Sequence, residues 1–240
     1  MNKLLLSTLF FILTITSASS QVIVEWNYTS SSGSADFPSG LPATSFDNAL
    51  FDSVSNVTLG PGLAARNGGV ANTVFASNGS NNAADDYWQL TLDPVASGVE
   101  LTSITFNLRT NSDPDQWIFN LYSSDTGGAP SASQQASGTL GSLTLTTATS
   151  NTGTLIADLS SHSEFSNLTS PVTFYLQIAA NQGSGAYNQF DFFGFDTASA
   201  PQITVQGVAI PEPSTAVLML IGAGSLLFTR RRTGRQARSA

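Results

Sequence analysis

Through the middle of this chain, apolar side chains recur at every second position in short runs, and each run ends in Gly, Pro, Asn or Asp. Trp88, Leu90 and Leu92 alternate with Tyr87, Gln89 and Thr91 before Asp93-Pro94 closes the run, and Val172, Phe174, Leu176 and Ile178 alternate with Thr173, Tyr175 and Gln177. A period of two sends one set to one face of a strand and the other set to the opposite face, which no helix does. The body of the chain is therefore restricted to half-buried strands joined by turns.

The opening strand reads as Val22, Val24 and Trp26 on one face against Ile23, Glu25 and Asn27 on the other, followed by a Gly- and Pro-bearing loop from Ser30 to Asn48. Strands are expected around Val54 to Leu59 and Val70 to Ala76, with Asn67-Gly68-Gly69 as the turn between them. From Val99 to Arg109 the apolar phase jumps from Val99 and Leu101 to Ile104, Phe106 and Leu108, which predicts an extra residue, a β-bulge, near Thr102-Ser103. Trp117, Phe119 and Leu121 give another inward face, Leu140 to Thr147 and Gly153 to Asp158 are further strands, and Leu159 to Phe165 reads as a helical turn capped by Ser160 or Ser161. Phe190 to Phe195 is aromatic enough to be buried on both sides, and Gln202 to Val208 is the closing strand. About ten short strands with turn residues between them predict an all-β fold, an antiparallel β-sandwich of jelly-roll type. No internal repeat points to a propeller or solenoid.

Charge narrows the partners. All sixteen acidic residues lie between Glu25 and Glu212, where Arg66 and Arg109 are the only bases, so this body carries a net charge of −14. Nucleic acid and anionic lipid are poor partners for such a surface. The chain has no cysteine, so its stability comes from packing without disulfides, and thiolate metal sites are ruled out.

The two ends have a different character. Lys3, the apolar run from Leu4 to Ile15 and the small residues Ala18-Ser19-Ser20 before Gln21 have the order of a secretory signal helix, cleaved between Ser20 and Gln21. At the other end Pro211-Glu212-Pro213 stops strand and helix alike, because proline lacks an N–H and forces extended geometry on the residue before it. Ser214 then caps an uncharged run from Thr215 to Phe228, and Arg230, Arg231, Arg232, Arg235 and Arg238 follow. Fourteen helical residues cover about 21 Å against a hydrocarbon core of about 30 Å, so length alone leaves spanning open. The arginines on the C-terminal side favour a transmembrane helix with a cytoplasmic basic stop and the body facing outward.

Ile210 to Thr215, the apolar run and Arg230-Arg231-Arg232, in this order, resemble the PEP-CTERM sorting signal, also catalogued as an ice-binding-protein C-terminal domain, a name that carries no implication of ice binding. The resemblance implies that an exosortase, a membrane-embedded transpeptidase-like enzyme, recognises Pro211, Glu212 and Pro213, and that the protein passes from the inner membrane to the cell surface or exopolysaccharide matrix of a Gram-negative bacterium. The segments Asp85 to Leu92, Leu101 to Arg109, Phe165 to Phe174 and Phe190 to Gly207 are similar to the sandwich ectodomains joined to such tails, for which the likeness implies no chemistry. Those ectodomains carry an Asp-Asn pair near the last strands, where this chain has Asp191 and Asp196.

Catalytic sets are missing from the sequence. His162 is the only histidine, so a His-based zinc site cannot be completed, any Ser-His-Asp triad would have to use this one residue, and no Gly-x-Ser-x-Gly elbow or phosphate-binding glycine loop occurs. Carboxylates are plentiful, but their spacing selects no glycosidase pair. Asp85-Asp86, Asp113-Pro114-Asp115 and Asp191 with Asp196 either solvate turns or offer hard oxygen ligands to calcium. Trp26, Trp88 and Trp117 share faces with Leu, Val and Phe and belong to the core, whereas Tyr122, Tyr175 and Tyr187 fall out of that phase and are the candidates for stacking on a sugar.

The expected organisation is a signal peptide over 1–20, a β-sandwich ectodomain over 21–209 and a sorting tail over 210–240. The expected function is that of a non-enzymatic, exported surface or matrix protein without a cofactor, with an exosortase, the membrane and possible exopolysaccharide as partners. The alternative is a calcium-assisted carbohydrate-binding module using Tyr122, Tyr175, Tyr187, Asp191 and Asp196.

Overall fold

A computed structural model describes residues 19–27, 40–66, 73–78, 86–110, 116–125, 139–146, 152–181, 193–196 and 201–210. The expected signal helix and transmembrane helix lie outside the described residues, and among those described no helix is long and apolar enough to cross a membrane.

Fourteen strands are described: β1 (Gln21–Trp26), β2 (Ser45–Phe46), β3 (Phe51–Val54), β4 (Thr58–Leu59), β5 (Leu63–Arg66), β6 (Thr73–Asn78), β7 (Tyr87–Pro94), β8 (Val99–Thr110), β9 (Gln116–Ser123), β10 (Thr139–Thr146), β11 (Thr152–Asp158), β12 (Val172–Asn181), β13 (Phe193–Asp196) and β14 (Ile203–Ala209). All pair antiparallel in two sheets. The larger sheet runs β2-β1-β14-β8-β13-β6-β5 with β11 also paired to β8, and the smaller runs β10-β9-β12-β7-β3 with β4 also paired to β7. Along β8, β14 pairs from Val99 to Phe106 and β13 from Leu108 to Thr110, so the two follow each other along one edge.

The alternation read from the sequence becomes the core. Trp88, Leu90 and Leu92 of β7 and Phe174 and Leu176 of β12 point from the smaller sheet at Trp26, Ile104, Phe106, Leu108 and Val205 of the larger one, in one continuous buried cluster. Trp88 stacks on Phe119 with ring centroids 6.4 Å apart, and Phe165 packs on Phe174 at 5.5 Å. Each side chain of this size taken out of water contributes roughly 1.5–3 kcal/mol, and together they replace the disulfides the chain lacks.

The predicted bulge in β8 is present. Ser103 lies opposite Gln206 and Leu101 opposite Gly207, leaving Thr102 without a partner across the ladder, and its carbonyl accepts instead from the Leu159 N–H at 2.9 Å. The facing expected of β1 is corrected by a second bulge. Val22 lies opposite Gln206 and Val24 opposite Val205, so Ile23 and Val24 both turn inward and Val22 is left 44% exposed. Both bulges flank the same point of β14. There Gly207 makes room: a Cβ on it would meet the Glu100 carbonyl oxygen and lie 2.6 Å from Ile23 Cδ1.

The helical turn after β11 is a 3-10 helix, Ser163–Phe165, but neither serine caps it. His162 occupies the N-cap position without a side-chain cap. Ser160 and Ser161 lie before that position, and Ser160 donates to Asp158 Oδ1 from its N–H at 2.9 Å and from its hydroxyl at 2.6 Å. The turn drives Phe165 and Leu168 into the core.

Candidate functional site

The outer face of the smaller sheet gathers the polar and aromatic half of the alternation. Tyr87, Gln89 and Thr91 of β7 face Gln177, Tyr175 and Thr173 of β12, and Asn120 and Tyr122 of β9 face Gln177 and Tyr175 from the other side. Tyr175 thus sits in the middle strand of three, between Gln89 and Tyr122. The Tyr87 and Tyr175 rings meet edge to face with centroids 5.3 Å apart, the arrangement that the ring quadrupole favours. Around them Gln89 Nε2 donates to Thr58 Oγ1 at 3.1 Å, and the Thr91 and Thr173 hydroxyls bond each other at 2.8 Å.

Part of this face is closed. Tyr122 is 2% exposed, Gln177 and Tyr87 are buried, and only Tyr175 is left half-buried among the three tyrosines. Tyr122 is therefore withdrawn as a ligand-stacking residue: its ring points away from the inter-sheet core, as its phase requires, yet is covered. Burial pushes its hydroxyl above the usual phenol range, an effect the neighbouring Asn120 side chain offsets in part. The hydroxyl finds no hydrogen-bond partner of good geometry among the described residues.

The other nominated residues are not brought to this face by anything described. Tyr187, Asp191, Pro211, Glu212, Pro213, Arg230, Arg231 and Arg232 lie outside the described residues. Asp196 ends β13 opposite Thr73, and its side chain is outside what is described. Ser20 and Gln21 are exposed; Ser20 Oγ lies 2.6 Å from Thr102 Oγ1, and Gln21 pairs with Gly207.

Reactive groups are sparse elsewhere. His162 Nδ1 lies 3.4 Å from Glu164 Oε1 and its ring leans on Phe165 at 6.1 Å, so it serves the 3-10 turn. The Ser160 hydroxyl and N–H hold the Asp158 carboxyl below the usual carboxylate range, and the charge of His162 adds a smaller pull. Asp86 is wholly buried, and among the described residues no group of three or more His, Asp or Glu could hold a metal ion. Trp26 and Trp88 are core residues, as their phase predicts. Sequence reasoning passed over Tyr87, which became visible beside Tyr175 only once the register of β7 on β12 was known.

In the sequence, this two-sheet, all-antiparallel body is followed by a proline-flanked acid, an apolar run and a basic cluster. Residues 209–232 match the family model described as the PEP-CTERM protein-sorting motif, so the chain carries that motif from the last residue of β14 onward. No curated protein matches the chain. Among solved structures it is similar to a family 29 carbohydrate-binding module, with 12% identity, 79% of this chain and 88% of that one covered and a TM-score of 0.31. It is also similar to a family 11 carbohydrate-binding module from Clostridium thermocellum in complex with a β-1,3-1,4-mixed-linked tetrasaccharide, with 13% identity, 67% and 85% covered and a TM-score of 0.28. Superpositions this loose carry no inference about what this chain binds.

Proposed function

We propose that this chain is an exported, non-catalytic protein of the cell surface or extracellular matrix, delivered by its PEP-CTERM tail. In this reading the leader is removed between Ser20 and Gln21, the run after Ser214 holds the chain in the inner membrane with Arg230, Arg231 and Arg232 as the cytoplasmic stop, and an exosortase acts at Pro211-Glu212-Pro213. The delivered cargo is an acidic jelly roll. Its main strands β1, β7, β8, β9, β10, β11, β12 and β14 divide as β1-β14-β8-β11 and β7-β12-β9-β10, the distribution of two interwound Greek keys. The observation that carries the reading is the match of residues 209–232 to the sorting motif. Deleting residues 211–240 in a host that has the exosortase tests it: surface delivery should be lost, and delivery at the full-length level counts against the proposal.

A second reading is motivated by Tyr175, which keeps part of its ring accessible at the centre of the outer face beside Tyr87 and Gln89. An aromatic ring beside amide groups suits the apolar face and hydroxyls of a sugar, with calcium held by acids such as Asp191 and Asp196 and Tyr187 as a further contact. Glycan binding that falls on Tyr175→Ala, on Asp191→Ala and on chelation supports it. A blank glycan array with and without calcium removes it.

A further inference from the structure

The point where the fold ends and the sorting signal begins has a geometry of its own. β14 is an interior strand held between β1 and β8, and its final residues Gly207, Val208 and Ala209 pair with Leu101, Glu100 and Val99 while Gly207 also pairs with Gln21. The start and the end of the body therefore emerge side by side at one pole. The sorting motif begins at residue 209, the last residue of β14, so no spacer separates the fold from it. From Ala209 to Thr215, where the apolar run starts, a fully extended chain reaches at most about 21 Å.

The same pole carries the turn from Pro94 to Val99 and the segment from Ser166 to Pro171, joined by the Val99 N–H to Leu168 carbonyl bond at 3.0 Å and its return bond at 2.8 Å. Neither segment itself contains a charged residue, although Asp93, Glu100 and Glu164 flank them in the chain and the exposed Asp125 follows Ser124, whose N–H bonds the Thr173 carbonyl. Ala96, Asn167, Thr169 and Ser170 are exposed there. The opposite pole holds the exposed Pro61, next to Gly60, whose N–H bonds the Tyr87 carbonyl at the start of β7. The eight residues of β7 put roughly 23 Å between the two poles.

From these relations we infer that the pole formed by Gln21, the 95–98 turn, the 166–171 segment and Ala209 is the face the folded body presents to the bilayer surface while the tail holds it. The short tether fixes the orientation, and the two uncharged segments are the part of this pole that approaches the headgroups. The inference rests on the proposed membrane insertion of the tail.

The chain has no native cysteine, so single labels report cleanly. Full-length chain is reconstituted in phosphatidylethanolamine/phosphatidylglycerol vesicles as Ala96→Cys, Ser170→Cys or Pro61→Cys, each labelled with a fluorophore and mixed with a headgroup-attached quencher. Labels at 96 and 170 should lose fluorescence while the label at 61 keeps it, and a flexible linker of about 20 Gly/Ser residues between Ala209 and Ile210, with a mean reach of about 25 Å, should abolish the difference. Equal quenching at all three positions in a chain that resists carbonate extraction overturns the orientation alone. A chain that washes off the vesicles overturns the membrane reading and the orientation with it. A difference that survives the linker overturns the short tether as its cause.

Discussion

Ile23 and Gly207 meet at the one level of the larger sheet where bulges lie on both sides of a strand, with Ile23 Cδ1 only 2.6 Å from where a Gly207 Cβ would stand. The other obstacle is the Glu100 carbonyl, which is backbone and cannot swing aside. Gly207→Ala should therefore lower the free energy of unfolding by about 1–3 kcal/mol, the usual range for overpacking, as read from urea unfolding at constant slope. The double variant Gly207→Ala, Ile23→Ala should recover none of the share due to Glu100, which separates the two obstacles.

A second glycine is fixed by backbone conformation. Gly98 has φ +85° in the turn leading to β8, and a Cβ there would meet Asn167 Oδ1. Gly98→Ala should cost about 1–2 kcal/mol from the left-handed conformation alone. Adding Asn167→Ala should return only the part due to the clash, and a double variant as stable as the original chain would show that the backbone is not strained.

Truncation of the shared core and change of the outer face should differ sharply. Phe174→Ala removes a ring that packs on Phe165 and should destabilise by about 3–5 kcal/mol. Ile156 is 61% exposed on the outer side of β11, so Ile156→Thr should stay within about 0.5 kcal/mol of the original in the same unfolding assay.

Two titrating groups give opposite pH signatures. Burial holds the Tyr122 proton on in the folded state, so its contribution to stability is present below the ordinary phenol value of 10.0 and is lost as pH rises from there toward the raised folded value. Tyr122→Phe should be neutral or slightly stabilising at pH 7 and should flatten the alkaline loss, followed by thermal melts from pH 8 to 11. Asp158 runs the other way: its lowered folded value means that its contribution is present above the usual carboxylate range and is lost as pH falls through the folded value. In Ser160→Ala the Asp158 carbon shift measured by NMR should titrate nearer the ordinary carboxylate value.

The bulge at Thr102 was legible because Leu101 and Ile104 are both apolar and three apart, which a single phase cannot accommodate. The bulge at Ile23 was hidden, since Val22, Ile23 and Val24 are all apolar and fit either phase. β5, Leu63–Arg66, has the composition Leu-Ala-Ala-Arg with little strand preference of its own and is made a strand by pairing with β6. Periodicity places Tyr122 on the outer face but says nothing of what covers it, so its burial is not legible in the sequence. The Tyr87–Tyr175 pair depended on register between strands 85 residues apart, information that no local pattern holds.

The most direct test of the sorting account is the intact mass of the protein recovered from the surface of cells that make the full chain together with an exosortase. The account predicts a species that begins at Gln21 and has lost the basic end of the tail. Recovery of the unprocessed Met1 to Ala240 polypeptide from the cytosol, with none at the surface, would contradict it.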